Sequence, residues 1–380
     1  MKICFVGDDP KIIGGLSLFQ ENLINYIKKN HPKIRITWVH RSDKNGEKTE
    51  DGIRYFGIKL PKIFLLKDIL FNIRVKKYFE RNYFDVINSH AIWGYWMKGY
   101  KKKKGQRIVN TYHGLAVPFY KNHFSRFSPV KKIFYSPILL FSYLIEKPPL
   151  KASDKIICVS EKVRRQIWEV YGEKRNQVVI RTGVDLNNFK PRNKKKIKKI
   201  LNLEGGKLYG LYVGRGGFWT KGLDRAVGLS KEIYKKDKNF RLIVIGPDYQ
   251  KTKRLLKEDF IIFFRGIPRN KIPLYYSASD LFFCMSRYEG GAPTLVVSEA
   301  MASGCLLICS ESSKQEIVRD NRNGLIVKKF DGDDAEKVLS VQKNKRMRNN
   351  IIKQSMKDIG ALSLDKWGKK YLEVLIGKKM

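Results

Sequence analysis

"DLFFCMSRYEGGAPTLVVSEAMASGCLLICSES", residues 280–312, decides how the chain folds. Leu281 to Met285 and Cys305 to Cys309 are apolar throughout, and between them a loop with glycine and proline opens into "TLVVSEAMAS". A strand apolar at every position is buried on both faces, and parallel neighbours of that kind need a returning helix between them. The stretch therefore reads as strand, loop, helix and strand, with Pro293 in the first helical turn and the helix running to about Ser303. One carboxylate, Glu289, stands in the loop, and a second, Glu299, inside the helix.

The pattern recurs in "KICFVGD", "FDVINSH", "RIVNTYHG", "KIICVSE", "LYGLYVGRGG", "RLIVIGPD" and "DFIIFFRG", separated by longer amphipathic stretches. It predicts an α/β protein with two doubly wound parallel sheets. The first takes strands near residues 2–6, 35–40, 84–89, 107–111 and 155–159, and a second series starts near Leu208. A chain of 380 residues with 43% hydrophobic content can fill two cores. "VVIRTGVDLNNFKPRNKKKIKK", residues 178–199, breaks the apolar order and reads as linker and hinge, its basic run Lys194 to Lys199 starting a solvated helix. The expected domains are 1–185 and 186–364, with a terminal helix at about 365–380 packed back onto the first.

Lys and Arg number 77 against 36 Asp and Glu, a formal charge of +41 that favours polyanionic partners without choosing among them. The five cysteines lie mostly in apolar runs without zinc-ligand spacing, which fits buried thiols in a reducing compartment. "MKICFVGDDP" reads as a first strand and not as a secretion signal, so a cytoplasmic location is expected. The longest apolar run, "PILLFSYLI" at 137–145, falls short of the roughly 20 residues that span a bilayer.

In open α/β sheets a ligand lies beyond the carboxyl ends of the strands, and here Gly, Asp, His, Arg and Glu collect at those ends. In "YVGRGGFWTKG", residues 212–222, Arg215 and Lys221 flank a glycine pair and can converge on one phosphate group, so a diphosphate is the expected guest. The amides at the start of the helix after Pro293 would add to that positive field. Glu299 can accept hydrogen bonds from hydroxyls, as the acidic residue of dinucleotide folds does from ribose. "FDGDDAEKV", residues 330–338, contains an Asp-x-Asp pattern that reads as a turn and helix cap.

These segments, in this order, resemble the retaining glycosyltransferases of family 4, which have the GT-B fold. The resemblance extends over nearly the whole chain through "GGLSLFQENL", "TYHGL", "ASDKIICVSEKVRRQI", "RTGVDLNNFKP", "LIVIGPD", "FFRGIPRNKIPLYYSASDLFF", "NGLIV" and "ALSLDKWGKKYLEVL". It implies two Rossmann-like domains facing a cleft, and a nucleotide-diphospho-sugar held mainly by the second. Arg215 and Lys221 would bind its diphosphate, Glu299 its ribose, and Gly266 and Ile267 its base. Glu289 would contact the sugar, with the loop formed by Gly290, Gly291, Pro293, Thr294 and Leu295. From the first domain, Gly14 and Gly15 would approach the diphosphate, and His113 would meet the sugar at the reaction centre.

The chain departs from the family pattern in three places. Nine residues separate Glu289 from Glu299, a wider gap than usual, which bears on the sugar contact by Glu289; Thr182 stands where Asn is common; and five residues, including Gly216 and Gly217, separate Arg215 from Lys221.

The resemblance further implies transfer with retention, assisted by a donor phosphate oxygen and requiring no metal. The acceptor would be a glycan or a lipid-linked molecule. Two stretches, 58–79 and 117–149, mix large apolar side chains with Lys and Arg. In the first, Leu66, Leu70 and Ile73 share a helical face bordered by Lys62, Lys67, Arg74 and Lys77, the pattern of a helix in an anionic membrane interface and equally of a core-facing helix with a solvated basic side. Peripheral attachment to the inner face of the cell membrane is expected. The alternatives are another GT-B enzyme that processes nucleotide sugars, such as an epimerase, and a basic nucleic-acid-binding protein, for which no base-reading motif appears.

Overall fold

The computed structural model describes residues 1–10, 14–61, 66–214, 219–246 and 255–378. It divides into two units, Met1–Thr182 with Asp365–Met380, and Gly183–Leu364. Val184 forms an isolated bridge with Ser363, and the Leu364 amide donates to the Val184 carbonyl at 3.0 Å, so residues 183–185 join the second unit.

Among the described residues eight strands make the sheet of the first unit: β1 (Lys2–Gly7), β2 (Arg35–Ser42), β3 (Gly46–Glu50), β4 (Ile53–Lys59), β5 (Val86–His90), β6 (Arg107–Tyr112), β7 (Lys155–Cys158) and β8 (Gln177–Val179). Their order is β3-β4-β2-β1-β5-β6-β7-β8. Seven run parallel, and β3 pairs antiparallel with β4 at the edge. The doubly wound parallel sheet expected from the sequence is present, with one antiparallel edge strand added to it. "GEKTE" is exposed at every position, so a polar edge strand carries none of the apolar signal that marks the buried ones.

The second sheet contains β9 (Leu208–Val213), β10 (Phe240–Ile245), β11 (Ile261–Phe264), β12 (Leu281–Cys284), β13 (Leu306–Ser310) and β14 (Leu325–Val327), in the order β11-β10-β9-β12-β13-β14, all parallel. Alternate strand residues feed two cores. Ile243, Phe282 and Leu307 pack with Val297 and Met301, whereas Phe283, Leu306 and Ile308 pack with Ala226, Ile233 and Val338. Both faces are therefore covered by helices, the doubly wound arrangement.

The Leu66–Arg81 helix buries Phe71, Val75, Tyr78 and Phe79, while Leu66 and Ile73 stay exposed; Lys62 lies outside the described residues. Its core face is thus not the Leu66–Ile73 stripe. Among the described residues no helix is long and apolar enough to cross a membrane.

The last helix, Leu364–Ile376, completes the first unit by packing against the Gly15–Asn30 helix. Phe19 meets Trp367 and Tyr371 edge-on, with centroids 4.8 and 5.6 Å apart. The contact is close at Gly368, where a Cβ would lie 2.3 Å from the Tyr26 ring. Gly368→Ala should therefore destabilise the protein by about 1–3 kcal/mol, as overpacking does. Denaturant melts should show most of that loss restored in the Tyr26→Ala background; equal losses in both backgrounds would exclude this contact as the cause.

Candidate functional site

In a parallel sheet every strand delivers its carboxyl end to the same edge, and a crevice opens where the order reverses. In the second unit the reversal falls between β9 and β12, so the candidate residues are those that follow these two strands. Arg215 lies outside the described residues. The loop after β9 resumes at Trp219 and is fastened to the loop after β12: the Arg287 amide donates to the Thr220 carbonyl at 3.0 Å, and the Arg287 guanidinium stacks on Trp219 and pairs with both oxygens of Asp224. Gly222 has φ +69 and would place a Cβ 1.9 Å from the Met285 carbonyl oxygen. Only glycine permits this approach, and it carries the preceding residue, Lys221, over the end of β12.

There the Lys221 ammonium donates to Glu289 Oε1 at 2.8 Å. Burial works against charge on Lys221, but the adjacent carboxylate outweighs it and holds the ammonium above the usual lysine range. The structure thus joins two of the expected residues.

After Glu289 come Gly290 and Gly291, the latter at φ +86, and Pro293 precedes the helix cap. Thr294 is the N-cap and Leu295 the first residue of the Leu295–Ala302 helix, which corrects the placement of Pro293 in the first turn. Gln315, fully buried, fixes this cap: its Oε1 accepts from the Thr294 amide at 2.9 Å and its Nε2 donates to Thr294 Oγ1 at 3.0 Å.

Glu299 sits one turn deeper, 1% exposed. Arg269 binds it with both guanidinium nitrogens, Nη1 to Oε2 at 3.2 Å and Nη2 to Oε1. Burial raises the Glu299 pKa, and Arg269 and Tyr276 lower it again, leaving it above the ordinary value. Arg269 follows Gly266 (φ +67), Ile267 and Pro268 after β11, so this pair ties the segment expected at the base to the carboxylate expected at the ribose. Sequence reasoning missed Arg269 because its partner is 30 positions away.

The first unit holds a separate cluster. Gly14 caps the Gly15–Asn30 helix, and a Cβ on Gly15 would meet open space. His113 follows β6, and its Nε2 lies 2.9 Å from Nδ1 of His90 at the end of β5. Phe19 packs edge-on against His113 at 4.5 Å. His90 closes the strand run "FDVINSH", and nothing in the sequence marks it as the partner of His113. The His90 ring is fully buried and its Nε2 has no hydrogen-bond partner among the described residues. A bare buried acceptor costs less than an orphaned N–H, so His90 donates to His113, and His113 carries its own proton on Nδ1. Burial pushes the His113 pKa down to about 4. The following helix, Ala116–Phe124, is anchored by buried Glu146, whose Oε1 accepts from the Ala116 amide at 2.8 Å and whose pKa burial pushes up to about 7.

The Asp-x-Asp segment is a cap: Asp331 accepts from the amides of Asp333 and Asp334, and Asp334 from those of Lys328, Lys329 and Phe330. Its Asp331 and Asp334 carboxylates are engaged with backbone amides.

Two doubly wound sheets with ionisable groups at their carboxyl edges define a two-domain α/β protein of the Rossmann-like class. Residues 13–188 match the model of glycosyltransferase family 4 and residues 193–358 that of the glycosyl transferases group 1, and the chain belongs to this family of glycosyltransferases. An uncharacterized glycosyltransferase of Methanocaldococcus jannaschii is 27% identical over 89% of this chain and 88% of its own length. The UDP-Gal:alpha-D-GlcNAc-diphosphoundecaprenol alpha-1,3-galactosyltransferase of Escherichia coli is 25% identical over 80% of each. The solved sucrose-phosphate synthase of Thermosynechococcus elongatus superposes with a TM-score of 0.81 at 18% identity, covering 98% of both chains, and shares the GT-B fold.

Two measurements test the geometry. Arg269→Gln leaves a buried carboxylate without its ion-pair partner and should cost about 3–5 kcal/mol. A carboxyl whose folded pKa exceeds its unfolded value stabilises the fold below that value and loses the contribution as pH rises, and removing Arg269 lifts the folded pKa further. The gap from wild type should thus be wider at pH 8 than at pH 5, and a pH-independent gap would refute the assignment. For His113, imidazole NMR should show a neutral ring throughout the range above pH 5; a midpoint near 6.5, the unperturbed value, would contradict the burial described.

Proposed function

We propose that this protein is a retaining hexosyltransferase that moves a sugar from a nucleotide-diphospho-sugar to a hydroxyl of a glycan or lipid-linked acceptor, in the synthesis of cell-envelope polysaccharide, glycolipid or protein-bound glycan. The observation that carries the proposal is the Lys221–Glu289 pair at 2.8 Å on the reversal point of the second sheet. A cation there faces a departing diphosphate, and a carboxylate beside it faces sugar hydroxyls. The Escherichia coli relative supports the choice of substrates, since its name gives a UDP-sugar donor and a diphosphoundecaprenol acceptor.

In this reading the bond between the anomeric carbon and the diphosphate oxygen breaks while the acceptor oxygen attacks from the same face. Arg215, Lys221 and the helix amides that follow Thr294 take up the leaving charge, each well-placed donor contributing on the order of 3 kcal/mol. A donor phosphate oxygen receives the acceptor proton, so no side chain acts as general base and no metal is called for. Glu289 and the loop Gly290–Leu295 hold the sugar, Glu299 the ribose, and Gly266 with Ile267 the base. In the first unit His113 offers its Nδ1 proton to a sugar oxygen, and Gly14 and Gly15 leave room for phosphate. The basic surface works at the cytoplasmic face of an anionic membrane, where a lipid-linked acceptor would be found.

A panel of UDP-, GDP- and ADP-sugars should contain a donor that raises the melting temperature, because a ligand of the folded state stabilises it. With that donor and an acceptor, Lys221→Ala should lower release of nucleoside diphosphate by about 10²–10³-fold, with the fold retained by circular dichroism. Unchanged turnover would remove the phosphate clamp. Conversion of the donor to a stereoisomer without diphosphate release would assign an epimerase instead.

A further inference from the structure

The Pro129–Ala152 helix is 24 residues long, and its first half stands out from the unit that carries it. Val130, Ile133, Phe134, Leu140 and Leu144 are 76, 74, 77, 61 and 55% exposed. Their spacing of three, four and seven positions places them on a single stripe of the helix, while the opposite side buries Ser142, Ile145, Glu146 and Leu150. Scattered single exposures are ordinary, but a continuous row of large side chains along about 20 Å of helix is not.

The chemistry around the stripe selects its partner. Lys121, Arg126, Lys131 and Lys132 are exposed on the same helix and on the segment leading into it. Between Ala116 and Ala152 the one acidic residue is Glu146, and it is buried and committed to the Ala116 amide and the Tyr171 hydroxyl. An apolar row in a segment that is rich in exposed cations and whose one carboxylate is buried is complementary to a bilayer with anionic headgroups: the side chains enter the acyl boundary and the ammonium and guanidinium groups stay at the phosphates. The prolines reinforce this arrangement. Pro129 starts the helix, and Pro137 lies exposed on the same row.

We infer that this row is the membrane-docking face of the protein, and that Val130, Ile133 and Phe134 are the residues that enter an anionic bilayer. The inference rests on the membrane location proposed above and gives it an address on the molecule. It does not depend on which sugar is transferred.

The test uses the full chain and vesicles of phosphatidylcholine with phosphatidylglycerol. Wild type should co-sediment at low salt, less so at high salt, and poorly with phosphatidylcholine alone. Ile133→Ser/Phe134→Ser should weaken the partition by about 30-fold or more, since each large side chain withdrawn from the acyl boundary costs roughly a factor of ten. Both positions are solvated, so the melting temperature should hold. All five native cysteines are buried, so Val130→Cys can carry an environment-sensitive dye at one site. Its emission should shift to the blue on anionic vesicles.

No binding of wild type at low salt would overturn the inference, as would equal binding by the double variant. A concentration-dependent dimer in solution that the double variant abolishes would assign the row to a second copy of the chain and overturn it as well. Diphosphate release with a soluble acceptor should be unaffected by the double variant, which separates failure of the docking face from failure of the glycosyltransferase reading.

Discussion

Parallel pairing of β9 with β12 is the constraint from which the rest of the second unit follows. The two strands share a hydrogen-bonded register at Gly210 with Leu281 and Leu211 with Phe282, so their carboxyl ends emerge side by side and the loops that follow must interlock. Gly222 sets the closeness of that interlock against the Met285 carbonyl, Arg287 fastens it from the other side, and Lys221 is thereby delivered to Glu289. Without the register, a lysine and a glutamate 68 residues apart would have no reason to meet.

The same geometry explains why charge is tolerated inside the lobe. Glu299 is held below the surface by a helix that the core needs for packing, through Val297, Ala300 and Met301. A carboxylate in that position requires a partner, and Arg269 supplies one while stacking on Phe189. The apolar residues of this helix and its buried ion pair are therefore one construction. The helix is oriented by its hydrophobic contacts, and the carboxylate takes its direction from the helix.

Much of this was legible in the chain itself. Runs such as "CLLIC" and "LFFC" announce buried parallel strands, and the order of short motifs along the chain points to the family. Several of those motif residues prove to support the scaffold: Ser160 caps a helix through the Val163 amide, Asp280 holds the Tyr209 amide and Lys194, and Asn323 bonds Asp358. What stayed hidden has a common cause. Arg269, His90 and Gln315 act on partners 30, 23 and 21 positions away, and only the folded sheet brings such pairs into contact. The β3–β4 hairpin escaped because its outer strand is polar and its inner one mixed, so neither carries a continuous apolar run.

The return of the last helix to the first unit has a consequence for biosynthesis. A ribosome completes residues 183–364 before Trp367 and Tyr371 have been added, yet those two rings close the space beside Phe19, and Tyr371 hydrogen-bonds Asn88 and Thr111 on the floor of the histidine cluster. The nascent amino-terminal sheet must therefore wait with that side open while the later lobe is translated, and it acquires its final aromatic wall only when the closing helix emerges.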